Sequence, residues 1–293
     1  MLNKIVHVCG VEHLNAAYFV LTVDLGDSLP EVHAGQFFQI RRPDITFPIL
    51  RKPISIYNLE GSYLSFMIKV LGKGTELLSN LRSGNRLDIL GPLGTGFPIV
   101  QNRKAVLVSG GIGYPPLWLL KKELMKAQNQ FYWLHGGQSR HDIFPADEIW
   151  TDDGSFGHKG FVTEGLKQHL ALHKPDIIYA CGPKPMLKAC HTLASKQRIP
   201  LYVSLEEYMA CGIGVCHGCA VAVIDQQRPL SQVSVIPEQA EPVLTSLPVI
   251  PVAEESLLAG ANEATGTQPV LGSITYKNVC KDGPVFNSSE IIW

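Results

Sequence analysis

The sequence predicts a multidomain fold: a small antiparallel β-barrel or sandwich over residues 1–100, a parallel-sheet α/β domain over 101–205, and a small cysteine-bearing C-terminal domain over 206–293. Three observations predict it. Short β-rich segments separated by Gly or Pro fill the first hundred residues, and strand and helix patterns alternate in the next hundred. Cys211, Cys216 and Cys219 then crowd into nine glycine-rich positions. A chain of 293 residues, 45% hydrophobic and 17% charged, is long enough for two or three modest cores.

The first part reads as strands at "YFVLTVDL", "QFFQIRR", "SYLSFMIKVL" and "RLDIL", with one helix at "GTELLSNL" (74–81). The second opens on "KAVLVSG", a buried strand, followed by "PPLWLLKKELMKA", an amphipathic helix with Pro115 and Pro116 at its start. Strands at "QFYWLHGG" and "DIIYACG" and helices at "TEGLKQHLAL" and "KPMLKACHTLASK" complete the alternation, which places a parallel sheet between two helical layers. In the third, residues 226–271 hold six prolines and little periodicity, so a long loop or mobile insertion is expected there.

Composition excludes several classes. A formal net charge of −1 offers no basic face for nucleic acid. No apolar run reaches a membrane span; the longest, "VLVSGGIGYPPLWLL", is broken by Gly and Pro. The N-terminal stretch lacks a signal-peptide core, and seven cysteines in so long a chain do not form a secreted disulfide framework. A soluble protein of the reducing cytoplasm is expected.

Cys211, four residues, Cys216, two residues, Cys219 and a distant Cys280 reproduce the spacing of plant-type [2Fe-2S] ferredoxins. Four thiolates must converge on two irons, so the backbone wraps a bulky anion closely, and Gly212, Gly214, Gly218 and Ala220 leave room for it. The competing reading is a structural four-cysteine zinc site, although zinc favours two C-x2-C knuckles and only one such pair is present. Cys9 and Cys190 read as ordinary strand and helix residues.

Two strand-to-helix turns suit a pyrophosphate. "SGGIGYPP" (109–116) carries Gly110, Gly111 and Gly113, with Pro116 in place of the third glycine of the dinucleotide fingerprint. "YACGPKPML" brings Cys181, Gly182 and Pro183 to the same sheet edge. A tight strand-to-helix turn is the alternative for the first, and taken alone the second is only a strand-turn-helix. In the β-rich part, Arg51, Lys52 and Ser55 around Pro53 can grip a phosphate, and Gly74 and Thr75 open a helix; a solvated charge pair and a plain N-cap are the bland alternatives.

Taken in order, "LRKPISI", "KVLGKGT", "LGPLGTGFP", "SGGIGYPPL", "YACGPKPML", "EEYMACGIGVCHGCAV" and "VCKDGPVF" resemble the electron-transfer subunit of NAD-linked dihydroorotate dehydrogenase, in the ferredoxin–NADP reductase superfamily. The resemblance implies an FAD-binding barrel, an NAD-binding α/β domain and a [2Fe-2S] domain. It also implies a hetero-oligomer, two of each subunit, with an FMN-containing catalytic subunit of pyrimidine (UMP) biosynthesis. Carried over by motif, FAD would contact Lys52, Pro53, Ile54, Ser55, Ile68, Lys69, Val70, Gly74 and Thr75, and the cluster ligands would be Cys211, Cys216, Cys219 and Cys280. Two departures stand out: Lys52 replaces an arginine, losing the planar fork while Arg51 can share the load, and the insertion replaces a short hairpin. After "WLHGG", Arg140 suits a 2′-phosphate and Asp142 opposes one; the family favours NAD. A flavin and iron–sulfur reductase subunit serving another partner, and a zinc-stapled binding module, remain the alternatives.

Overall fold

The computed structural model describes residues 1–27, 29–229 and 272–293. The 226–271 insertion expected from the sequence therefore lies outside the described residues from position 230 onward. Two compact units are present, Met1–Val223 with Tyr276–Trp293, and Ile224–Thr275.

The first sheet holds β1 (Leu2–His13), β2 (Tyr18–Asp24), β3 (Phe37–Arg41), β4 (Lys52–Ser55), β5 (Asn58–Glu60), β6 (Tyr63–Lys69) and β7 (Arg86–Leu93), with helix α1 (Lys73–Ser79) between β6 and β7. Its order is β4-β3-β7-β1-β2-β6-β5. All its pairings are antiparallel. The chain itself links the two outer edges as it passes from β4 to β5. Ile56 N–H donates to Gln36 O beside β3 at 3.0 Å, and Tyr57 N–H donates to Ser65 O on β6 at 3.0 Å. Period-two alternation fills the interior: Phe19, Leu21, Phe38, Ile40, Phe66, Leu87 and Ile89 are wholly buried. Each such side chain contributes about 1.5–3 kcal/mol.

The second sheet comprises β8 (Lys104–Gly110), β9 (Gln130–Gly137), β10 (Glu148–Thr151), β11 (His158–Lys159), β12 (Ile177–Cys181) and β13 (Leu201–Ser204), all parallel. Helices α2 (Tyr114–Lys126), α3 (Val162–Leu172) and α4 (Lys184–Gln197) cross between its strands. Later come β14 (Ala220–Pro229) and β15 (Gly272–Asn278), paired as a two-stranded ribbon, and β16 (Val285–Asn287). The order β11-β10-β9-β8-β12-β13-β16 places β16 antiparallel to β13. So Val285 and Phe286, grouped in the sequence with the cysteine segment, belong to an edge strand of the α/β sheet. Pro284 O accepts from Leu205 N–H at 2.9 Å, which sets the register of that addition. No helix among the described residues is long and apolar enough to cross a membrane.

Candidate functional site

A cavity of about 560 Å³ opens beside the barrel, within the size range that holds a cofactor. Lys52, Pro53, Ile54 and Ser55 of β4, Ile68 and Lys69 of β6, and Gly74 and Thr75 at α1 all line it. The opposite wall is Ile112, Pro115 and the segment Ser204–Met209 leaving β13. Thr75 fixes the glycine turn: its Oγ1 accepts from Leu71 N–H at 2.9 Å and Gly72 N–H at 3.2 Å. The Lys52 stem runs beneath Gly74, where any Cβ would overlap its Cε.

Two of the candidates from the β-rich part lie outside this lining. Arg51 Nη2 donates to both oxygens of Asp88 at 2.8 and 2.9 Å, and Arg41 Nε reaches the same carboxylate at 2.7 Å. Burial alone would raise the Asp88 carboxyl, but Arg51 and Arg41 hold it below its usual value. Val70, between the lining residues Lys69 and Leu71, is not itself in the lining and donates its N–H to Ala17 O at 2.8 Å. Of the lining lysines, Lys69 is paired with Asp142 and Lys73 with Glu76. Lys52 is the lining lysine with no ion pair among the described residues.

The glycine turns converge as well. β8 has β9 on one side and β12 on the other, so the chain's course reverses between β8 and β12. In open α/β sheets this switch point, at the carboxyl ends of the strands, is where ligands lodge. Gly110 abuts Pro183, where a Cβ would lie 3.0 Å from Cδ, and a Cβ on Gly182 would lie 3.0 Å from Gly110 N. A Cβ on Gly113 would overlap the Cys181 carbonyl. Gly111 holds φ of +51°, a left-handed angle that glycine adopts freely. Small residues here are a packing requirement, and they leave the backbone open to a close neighbour.

Behind this edge lies a buried network. His135 is pushed down to about 4 by burial, so it is neutral at neutral pH. Its Nε2 faces Asp142 O at 3.1 Å, an acceptor only, so Nε2 carries the proton. Nδ1 then accepts from Ser109 Oγ at 2.7 Å, and Ser109 Oγ accepts from Trp133 Nε1 at 2.9 Å. The Asp142 side chain takes Tyr18 Oη at 2.6 Å and Lys69 Nζ at 2.8 Å. Burial opposes its ionisation, yet Lys69 and Tyr18 bring its carboxyl below the usual range. Asp142 thus ties β6 and β2 to the α/β sheet, where the sequence suggested a residue that would oppose a 2′-phosphate.

The cysteine loop collects N–H groups on its sulfurs. Ile213 and Cys216 donate to Cys211 Sγ at 3.5 Å each, and Gly218 donates to Cys216 Sγ at 3.5 Å. Gly214 donates to Cys280 Sγ at 3.1 Å, and Cys280 donates to Cys219 Sγ at 3.4 Å. Gly212 and Gly214 reach φ of +73° and +84° to aim these groups. Burial alone would raise the Cys211 thiol, but the donors from Cys216 and Ile213 lower it to about 6. Among the described residues no three His, Cys, Asp or Glu side chains close on a single point. Main-chain N–H bonds link Cys216 to the Cys211 sulfur and Cys280 to the Cys219 sulfur, so the four cysteines are joined two and two, and two thiolates per iron is what a four-cysteine two-iron cluster takes. The residues fit that group. Cys190 is fully buried with its thiol pushed up to about 12 by burial, an inert core position.

With this geometry in view, known proteins supply the comparison. Residues 206–235 match the iron–sulfur cluster binding domain of dihydroorotate dehydrogenase B. The electron transfer subunit of dihydroorotate dehydrogenase B (NAD(+)) from Desulforamulus reducens is 32% identical, covering 88% of this chain and 86% of that one. The same subunit from a Geobacillus strain is 34% identical over 91% and 90% of the two chains. The chain belongs to this family. Its fold is likewise that of an NADH-dependent reduced ferredoxin–NADP oxidoreductase studied for flavin-based electron bifurcation, with a TM-score of 0.74, 24% identity, and 99% and 90% of the two chains covered. Members of the family are electron-transfer subunits, so a catalytic partner subunit is part of the assignment. The motif "EEYMACGIGVCHGCAV" includes Glu206–Met209, but only as the approach to the cysteines; the part that Ser204–Met209 plays as a wall of the cavity appears only in the fold.

Proposed function

We propose that this chain receives electrons from a dihydroorotate-oxidising, FMN-containing partner and delivers them to NAD+ by way of a [2Fe-2S] cluster and FAD, in pyrimidine biosynthesis. The observation that carries the reading is the continuity of the cavity. One wall is the barrel motif Lys52–Ser55, another is Ile112 and Pro115 beside the switch point, and the third is Ser204–Met209, a single residue short of Cys211. A group bound there stands between the nicotinamide edge and the cysteine loop.

In this reading the cavity holds FAD, the Gly110–Gly113 and Cys181–Pro183 turns receive NAD, and Cys211, Cys216, Cys219 and Cys280 hold the cluster. Nicotinamide exchanges two electrons and an iron–sulfur cluster exchanges one, and FAD supplies the conversion between them. The chain's own residues bind, orient and exclude water. Lys52 supplies the unpaired cation for a phosphate, Thr75 keeps the glycine turn in place, and the Asp142–Lys69–Tyr18 tie holds the barrel against the sheet edge where the nicotinamide must dock. No side-chain acid, base or nucleophile is required, because dihydroorotate is handled by the partner. The division into 1–100, 101–205 and 206–293 by cofactor, two copies of each subunit and a cytoplasmic setting belong to the same reading.

Anaerobic purification followed by a visible spectrum before and after NADH, with iron, sulfide and zinc analysis, tests it. Flavin bands with a broad iron–sulfur absorption, both bleached by NADH, are expected. A colourless chain containing one zinc would refute it.

A further inference from the structure

Gln39, in the middle of β3, is 1% exposed, and neither its Nε2 nor its Oε1 has a hydrogen-bond partner among the described residues. Native proteins rarely bury a carboxamide in that state, and where they do a further polar group usually meets it. Its strand neighbours Phe38 and Ile40 are wholly buried in the barrel core, so Gln39 points to the opposite face with Phe37. On that face Phe37, Leu90 and Leu93 pack in one cluster with Cys219 and Cys280. The surface that Gln39 occupies is therefore the one on which the cysteine loop lies.

The contact is close. Gly212 follows Cys211 directly, and a Cβ there would come within 2.7 Å of Gln39 Nε2 and 2.7 Å of its Cγ. Only a glycine lets the loop backbone rest on the carboxamide. Every N–H donor described above for the four sulfurs comes from the loop or from Cys280 itself. The barrel offers none of them, yet it places an amide with unused donors beside the first ligand.

We propose that the Gln39 carboxamide donates from Nε2 to the iron–sulfur group, to the Cys211 thiolate or an adjacent sulfide, and so sets the reduction potential of the cluster from the barrel side. The inference rests on the cluster reading given above and adds a positioning and tuning residue that no cysteine motif contains. A thiolate or sulfide of an anionic cluster is a charged acceptor, which strengthens the bond over a neutral one. Reduction adds one negative charge to the cluster. A donor therefore stabilises the reduced form more than the oxidised form and raises the potential. Because the donor is a neutral amide, its contribution does not titrate.

The test uses the full chain purified anaerobically with its cluster and flavin. The probe is the electron paramagnetic resonance signal of the reduced cluster, followed through a redox titration. Gln39→Met keeps the volume and removes the donor. Its cluster midpoint is expected to fall by about the equivalent of a tenfold change in the reduction equilibrium, about 59 mV for one electron. The flavin midpoint, read optically in the same titration, stays in place. A cluster midpoint equal to that of the unaltered chain overturns the proposal while leaving the cluster reading intact, and a chain without iron and sulfide overturns both. Should Gln39→Met fail to fold, the unaltered chain labelled with side-chain 15N-glutamine decides the matter by pulsed resonance. A nitrogen hyperfine coupling to the reduced cluster supports the bond, and its absence overturns it.

Discussion

Asp142 shows how much one side chain carries here. Its carboxylate accepts from Tyr18 and Lys69, residues far apart in sequence, and is 8% exposed. Asp142→Asn keeps the shape and removes the charge, and is expected to cost about 1–3 kcal/mol by denaturant unfolding. The sign of its pH dependence follows from a folded pKa held below the ordinary value. The stabilisation is complete above the unfolded carboxyl value near 3.9 and is lost as pH falls through the depressed one. The gap in unfolding midpoint between the two proteins should accordingly be constant at neutral pH and close below about pH 4. The cysteines divide in the same local way. Cys216→Ser should purify with less iron and sulfide, whereas Cys190→Ser, in the core of α4, should keep the full complement. The four candidate cysteines were legible in the sequence because spacing is a one-dimensional signal. The partners of Asp142 were invisible because positions 18, 69 and 142 meet only in the folded chain, and the same holds for Gln39 beneath Gly212.

Among the elements, turns decide more than strands. The Gly113 position has no room for a side chain against the Cys181 carbonyl, so Gly113→Ala must displace the β8 turn from the β12 turn. A loss of about 1–3 kcal/mol is expected from such overpacking, together with weaker bleaching at a given NADH concentration. Thr75→Ala removes the acceptor for two N–H groups ahead of α1. It should lower stability by about 1 kcal/mol, with faster loss of flavin on dialysis. Long periodic elements were legible: β2, β6, β8, α2 and α4 lie where alternation or helical spacing places them. β1 was read only at Cys9, although it spans Leu2–His13, because the register shifts at Cys9, which breaks its period, and only Val6 and Val8 are buried. β16, three residues long, holds no period at all and is a strand only because β13 offers it an edge.

At the scale of the molecule, three kinds of wall meet around one cavity: a barrel motif, a sheet edge and the approach to the cysteine loop. Motif order along the chain predicted these parts but not their meeting, since the motif that includes Glu206–Met209 pointed to the cysteines and its place on the cavity is set by the fold alone. The turn after Cys280 is fixed beside the end of β7 through Thr95, whose N–H donates to Gly283 O. In the proposed reading this holds the cysteine site beside the flavin cavity, and electrons from the partner pass through both on the way to NAD+. Anaerobic NADH formation from dihydroorotate and NAD+, in a mixture of this chain with its dihydroorotate-oxidising subunit, tests that route when the unaltered chain is compared with Cys216→Ser. NADH should form with the unaltered chain and fall to background with the variant, even though NADH still bleaches the variant's flavin. Equal rates with both chains would contradict passage through the cysteine site.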